Sequence, residues 1–142
     1  MQIHQLKKSH IDDIQKIYNQ QFGIEAWTKE QILSAFDNQA VSFYGIFDGD
    51  CLVSFASILV SIDDINLLDI ATLDSHKNKG YAKALLKFLI SQKKSNQTFS
   101  LEVKSKNIPA ITLYQSFGFK TLHVRKKYYK DGDDALCMFI VN

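Results

Sequence analysis

Three places in the sequence carry residue types whose spacing could do chemistry. The first is Asp74-Ser75-His76-Lys77-Asn78-Lys79-Gly80-Tyr81-Ala82-Lys83. Helical periodicity begins just after Gly80, and a helix N-terminus carries partial positive charge, so Lys77, Lys79 and Lys83 repel it unless an anion sits among them. Gly80 and the small Ala82 would let backbone N–H groups come close to a phosphate. From His76 to Lys94 the chain has Lys77, Lys79, Lys83, Lys87, Lys93 and Lys94 and no acid, whereas Asp63, Asp64, Asp69 and Asp74 lie just upstream. A solvated lysine-rich surface has the same spacing, so both readings stand on residues alone. GxxxxGK[ST] is absent, and Gly80-x-Ala82-x-x-Leu85 puts Leu where a dinucleotide fingerprint needs its close-packing glycine.

The second is Glu102, one of three glutamates, within TFSLEV. The alternating apolar set Phe99, Leu101 and Val103 turns it to the opposite face with Ser100 and Lys104. That face is either solvated or offers a carboxylate as a general base. The third is Tyr114, in helical line with Ala110 and Phe117. Its phenol is either part of a buried stripe and in need of a partner, or turned into a cleft where it could protonate a leaving group.

Other chemistries lack their residues. His4, His10, His76 and His123 have no metal-ligand spacing, and no Ser-His-Asp or Cys-His arrangement stands out, so nucleophilic and metal catalysis are not expected. Cys51 and Cys137 lie in the apolar runs CLVSFASILV and ALCMFIV without a CxxC, and both read as small buried hydrophobes in a reducing compartment. The pair Tyr128-Tyr129 beside Arg125 reads as hairpin packing or as a wall for a peptide substrate.

The elements that must position these residues follow from periodicity. Met1 to Leu6 alternates weakly, as a first strand would. Ser9 three residues before Asp12 forms a capping pattern ahead of Ile11, Ile14, Ile17 and Tyr18, and Thr28 with Gln31 repeats it before Ile32, Leu33 and Phe36. VSFYGIF, a turn at Asp48-Gly49 and CLVSFASILV read as a hairpin, and NLLDIATL adds a third antiparallel strand. A helix runs from Gly80 to about Gln92, then comes a strand over Thr98 to Val103. Asn107 and Pro109 open another helix, which Gly118 ends. FKTLHVRKKYY and ALCMFIV close the chain as a hairpin through KDGDD. The expected architecture is α/β (α+β): a mixed, mostly antiparallel twisted sheet flanked by helices, in the order (β)ααβββαβαββ.

With 142 residues, 46% of them hydrophobic and 23% charged, one domain over 1–142 is expected. A chain of this length buries roughly 70% of its unfolded surface without staples. The formal net charge of +2, from sixteen lysines and Arg125 against 15 acids, gives no general case for nucleic-acid binding. MQIHQLKKSHIDD does not suit a signal peptide, and Leu52 to Val60 is too short to span a bilayer, so a cytoplasmic protein without membrane partners is expected.

Taken together, NLLDIATLDSHKNKGYAKALLKFLI, LEVKSKNIPAITLYQSFGF and RKKYYKDGDDALCM resemble the GNAT superfamily of N-acetyltransferases, and most of all its RimI-type ribosomal-protein N-alpha-acetyltransferases. The resemblance covers residues 65 to 140, with Ala26-Trp27-Thr28 as a fainter echo. It implies that acetyl-CoA lies between the strand ending near Thr72 and the strand of Glu102. Ile70, Ala71 and Thr72 would then meet pantetheine and thioester, Asn78, Lys79, Gly80, Tyr81, Ala82 and Lys83 the pyrophosphate, and Asn107 the coenzyme arm. It further implies Glu102 as proton acceptor and Tyr114 as proton donor, with no metal. Lysines stand where the family often has arginines, and serve a phosphate as point charges.

The reaction so implied is acetyl transfer to a primary amine by direct attack. The implied acceptor is the N-terminal α-amine of a protein, such as a small-subunit ribosomal protein. An α-amine has a pKa of about 7.7 to 8.0 against about 10.4 for lysine, so a modest base suffices for it. Acetylation of a lysine or a small amine, a coenzyme-binding module without turnover, and a purely structural domain are the alternatives. A monomer or weak homodimer is expected.

Overall fold

The computed structural model of the chain describes residues 1–140. Its elements are β1 (His4–Gln5), α1 (Ile11–Phe22), α2 (Lys29–Asp37), β2 (Val41–Asp48), β3 (Cys51–Val60), β4 (Asp64–Thr72), α3 (Tyr81–Ser91), β5 (Thr98–Lys104), α4 (Ile108–Ser116), β6 (Lys120–Arg125) and β7 (Ala135–Ile140). The expected order is met throughout. Val141, which the sequence adds to the last strand, lies outside the described residues.

The seven strands form one sheet in the order β1-β2-β3-β4-β5-β7-β6. Among them β4 and β5 are the one parallel pair, joined by the crossover helix α3. The closing hairpin folds back so that β7, not β6, lies against β5. Ile14, Ile17, Tyr18 and Ile32 of α1 and α2 cover one face over Phe43, Val53 and Phe55. Leu85, Leu86 and Leu89 of α3, with Tyr114 of α4, cover the other over Ile58, Leu67, Phe99 and Leu101.

Local chemistry sets the helix ends. Thr28 Oγ1 accepts from Gln31 N at 3.2 Å while Gln31 Oε1 accepts from Thr28 N at 2.8 Å, the expected reciprocal cap of α2. Asn107 Oδ1 accepts from Ala110 N at 3.3 Å to cap α4, with Pro109 in its first turn. Gly118, at φ 91°, follows its end.

Four expectations are corrected. Ser9 does not cap α1: a single 3-10 turn, Lys8–His10, comes first, and His10 Nδ1 accepts from Lys7 N at 2.9 Å, so the helix starts later. The first strand is only two residues long. The hairpin turn is Gly49-Asp50, one residue on, because Asp48 pairs with Cys51 and the left-handed φ of 62° falls on Gly49. Cys51 is exposed because it opens β3 beside that turn, whereas Cys137 is buried; both thiols are free.

One irregularity governs the site. Between β3 and β4 the register passes from Ser57↔Asp69 to Ile58↔Leu67, leaving Leu68 as an extra residue. Ile65 and Leu67 before it face α3, yet Ala71 and Leu73 after it pack with α1. Asp69 turns with them toward α1.

Candidate active site

Strands β4 and β5 pair from Asp64↔Thr98 to Leu67↔Leu101 and then part. Beyond that point β4 stays bound to β3, with Ile70, Ala71 and Thr72 opposite Ala56, Phe55 and Ser54, and β5 stays bound to β7. The facing edges are left without strand partners. Their backbone groups can pair with an extended ligand lying between them, as a further strand would.

At the head of this opening is the lysine-rich turn. Asn78 and Gly80 have φ of 62° and 85°, the left-handed conformation that lets consecutive N–H groups converge. The backbone N–H groups of residues 78 to 83 donate to no group of the described chain, and the first turn of α3 holds no acid. Lys77 is paired with Asp74 at 3.1 Å, while Lys79 and Lys83 meet no acid among the described residues. Unengaged donors, the helix dipole and two available cations suit a pyrophosphate.

A Ser-His-Asp chain that sequence spacing did not reveal supports this turn. Ser75 Oγ lies 2.7 Å from His76 Nδ1, and His76 Nε2 lies 2.9 Å from Asp48 Oδ2. Ser75 and Asp48 are exposed, and the arrangement ties the turn to the β2–β3 hairpin, with the Tyr81 ring 5.8 Å from the imidazole.

Glu102 follows Leu101, the last residue of β5 that pairs with β4, and lies on the α1 and α2 face. Arg125 Nε stands 3.2 Å from its Oε2, and the Cys137 thiol 3.8 Å from the same oxygen. Burial, then the neighbouring Glu102, pushes the Cys137 thiol up. Over this face the β6–β7 connection meets the α1–α2 connection: Lys130 N donates to Glu25 Oε1 at 2.6 Å and Lys130 Nζ to Ile24 O at 3.1 Å. The aromatic pair packs within that roof, Lys104 Nζ being 5.2 Å from the Tyr129 ring and Arg125 5.4 Å from Tyr128. Buried Asp133 anchors the connection, accepting from Ser105 Oγ at 2.5 Å, Asp134 N at 2.8 Å and Lys106 N at 3.3 Å. The Ser105 hydrogen bond, more than any other influence, holds its carboxyl below the usual aspartate value.

Tyr114 is 5% exposed, its ring 5.8 Å from that of Phe119. Its hydroxyl makes no hydrogen bond among the described residues and is not sealed from solvent. Burial first, and the charge of Asp69 second, push the phenol well above its ordinary pKa, so it keeps its proton. The ring is therefore part of the buried stripe, and the hydroxyl has no partner in the described chain. Asn107 is used as the α4 cap through Oδ1, which leaves its amide nitrogen without a partner.

Asp69 was not singled out from the sequence. Tyr18 O–H donates to its Oδ2 at 2.7 Å, and burial raises its carboxyl to about 7. Nothing local in NLLDIATL announces the extra residue that turns it toward α1.

The profile of the GNAT acetyltransferase family matches residues 11–119. The chain belongs to the GNAT acetyltransferase family. This GNAT enzyme is 31% identical over 132 residues to the Haemophilus ducreyi ribosomal protein bS18-alanine N-acetyltransferase, covering 86% of this chain and 89% of that one. The Escherichia coli enzyme of the same name is 32% identical over 117 residues, covering 79% and 78%. The crystal structure of the ribosomal-protein-S18-alanine N-acetyltransferase from Escherichia coli superposes with a TM-score of 0.89 at 27% identity, over 98% of this chain and 92% of that one. As a GNAT acetyltransferase the protein transfers an acetyl group from acetyl-CoA to an amine.

Proposed function

We propose that the acceptor is the N-terminal α-amine of a protein, and specifically that of ribosomal protein bS18. The likeness to two bS18-alanine N-acetyltransferases across most of the chain carries this reading. The roofed face beside Glu102, walled by Tyr128 and Tyr129, suits an extended peptide end.

Acetyl-CoA supplies an acyl group activated as a thioester. Backbone N–H groups of residues 78 to 83, with Lys79 and Lys83, hold its pyrophosphate, and the free edge at Ile70, Ala71 and Thr72 aligns the pantetheine arm and thioester. Asn107 offers its free amide nitrogen to the coenzyme arm. Glu102 accepts a proton from the attacking nitrogen, oriented by Arg125. A β4 backbone N–H stabilises the charge gathering on the carbonyl oxygen. Tyr114 gives its proton to the departing sulfur. Alignment of the two substrates supplies much of the rate, and no covalent enzyme intermediate is required.

The test is mass spectrometry of a substrate panel with the purified protein and acetyl-CoA. A peptide with the bS18 N-terminus should gain one acetyl group at its first residue, while the same peptide with a blocked N-terminus and an internal lysine, and a polyamine, should not. Acetylation of the polyamine with the free N-terminal peptide untouched overturns the reading.

A further inference from the structure

Turning an α-ammonium into an amide removes two protons from one nitrogen, and only one proton goes to the leaving sulfur. Glu102 accounts for one acceptor. The fold supplies a second carboxylate on the same face of the sheet, across the gap where β4 and β5 part: Asp69, aimed there by the extra residue Leu68. Its Oδ2 is held by the Tyr18 hydroxyl at 2.7 Å. Its Oδ1 makes no hydrogen bond among the described residues and is not sealed from solvent. No lysine, arginine or histidine among the described residues pairs with it.

We infer that Asp69 is a second catalytic carboxylate of the acceptor site, receiving the ammonium proton on Oδ1 before Glu102 receives the second. The N–H bond of the ammonium breaks toward Asp69. The freed lone pair forms the C–N bond at the thioester carbonyl, the second N–H proton passes to Glu102, and the C–S bond breaks with the proton of Tyr114 going to sulfur. Tyr114 regains a proton from one carboxylic acid, and the other proton leaves to water. The inference rests on the α-amine reading above and adds the residue that makes a charged N-terminus usable at neutral pH.

The groups facing Asp69 agree with that role. Tyr18 approaches from α1 and Ser57 is its register partner on β3; the charge of Asp69 reaches Tyr114 of α4 and Tyr129 of the β6–β7 connection, and Glu102 lies on β5. None is a cation. The Asp69 charge helps to push Tyr114 and Tyr129 up, so both phenols stay protonated beside it. With the Asp69 carboxyl raised to about 7 by burial, taking a proton from an α-ammonium is uphill by only about tenfold. An ordinary aspartate would face about ten-thousandfold, and a lysine ammonium would put even Asp69 more than a thousandfold uphill.

The experiment compares wild type, Asp69→Asn and Glu102→Gln on an Ala-initiated peptide between pH 6 and 9.5, with carboxyl NMR titration of Asp69 alongside. Asp69→Asn keeps an acceptor for Tyr18. It should lose about tenfold or more in kcat/KM at pH 6.5 and approach wild type at pH 9.5, where the amine arrives neutral, while Glu102→Gln stays low throughout. The NMR midpoint of Asp69 should fall near 7. A pH-independent ratio between Asp69→Asn and wild type, or a midpoint near 4, overturns the Asp69 role and leaves the α-amine reading intact. A wild type that leaves every free N-terminal peptide unmodified overturns both.

Discussion

Arg125, on the edge strand β6, reaches past Cys137 on β7 to place its Nε 3.2 Å from Glu102 Oε2 on β5. The pair is too exposed to contribute much stability. Its effect is to fix the direction of the carboxylate at the point where the strands part.

A double-mutant cycle separates orientation from chemistry. Glu102→Gln should lower kcat by about a hundredfold or more, Arg125→Gln by about tenfold, and the double variant no more than Glu102→Gln alone, because Arg125 acts through Glu102. Additive losses, measured in steady-state kinetics at saturating acetyl-CoA, would show that Arg125 serves another part of the reaction.

Tyr114→Phe removes a hydroxyl that holds no hydrogen bond in the described chain. Nothing is therefore lost in folding, and the melting temperature should stay where it is. The value of kcat should nevertheless drop by about a hundredfold. An unchanged kcat removes Tyr114 as the proton donor.

Lys79→Gln and Lys83→Gln each remove a cation from a helix start that already carries converging N–H groups. Each should raise the KM for acetyl-CoA by about two- to fivefold, with kcat unchanged and with the effect fading as salt is added. Gly80→Ala should raise it further, since φ of 85° strains any side chain there.

Asp69 makes stability depend on pH in an unusual sense. Its carboxyl sits at about 7 in the folded protein against about 3.9 unfolded, so between those values the native state holds a proton that the unfolded chain has released. The stabilisation is complete below about pH 4 and is lost as pH rises through 7. Asp69→Asn should accordingly raise the melting temperature most at pH 8, less at pH 5, and leave it unchanged below about pH 4, as differential scanning calorimetry would show.

The parts of the site that obey a local rule were legible. Gly80 ahead of an apolar helical period marked the turn, Thr28 with Gln31 marked its helix, and the alternation around Glu102 put that carboxylate on the correct face. Relationships made by the sheet order were not. Arg125 meets Glu102 only because β7 inserts between their strands, and Ser75, His76 and Asp48 align only because a hairpin folds beside the turn. Cys51 sits in an apolar run yet is exposed because it borders that hairpin's turn. Asp69 was invisible for a different reason: strict alternation assigns it to the face of Leu67, and a bulge carries no residue signature in that run.

Leu68 acts as a phase shift in β4. Deleting this one leucine would set Leu67 and Asp69 opposite Ile58 and Ser57 in an unbroken ladder, so every later position would keep its face; what would go is the local bend that the extra residue puts into β4 where it leaves β5.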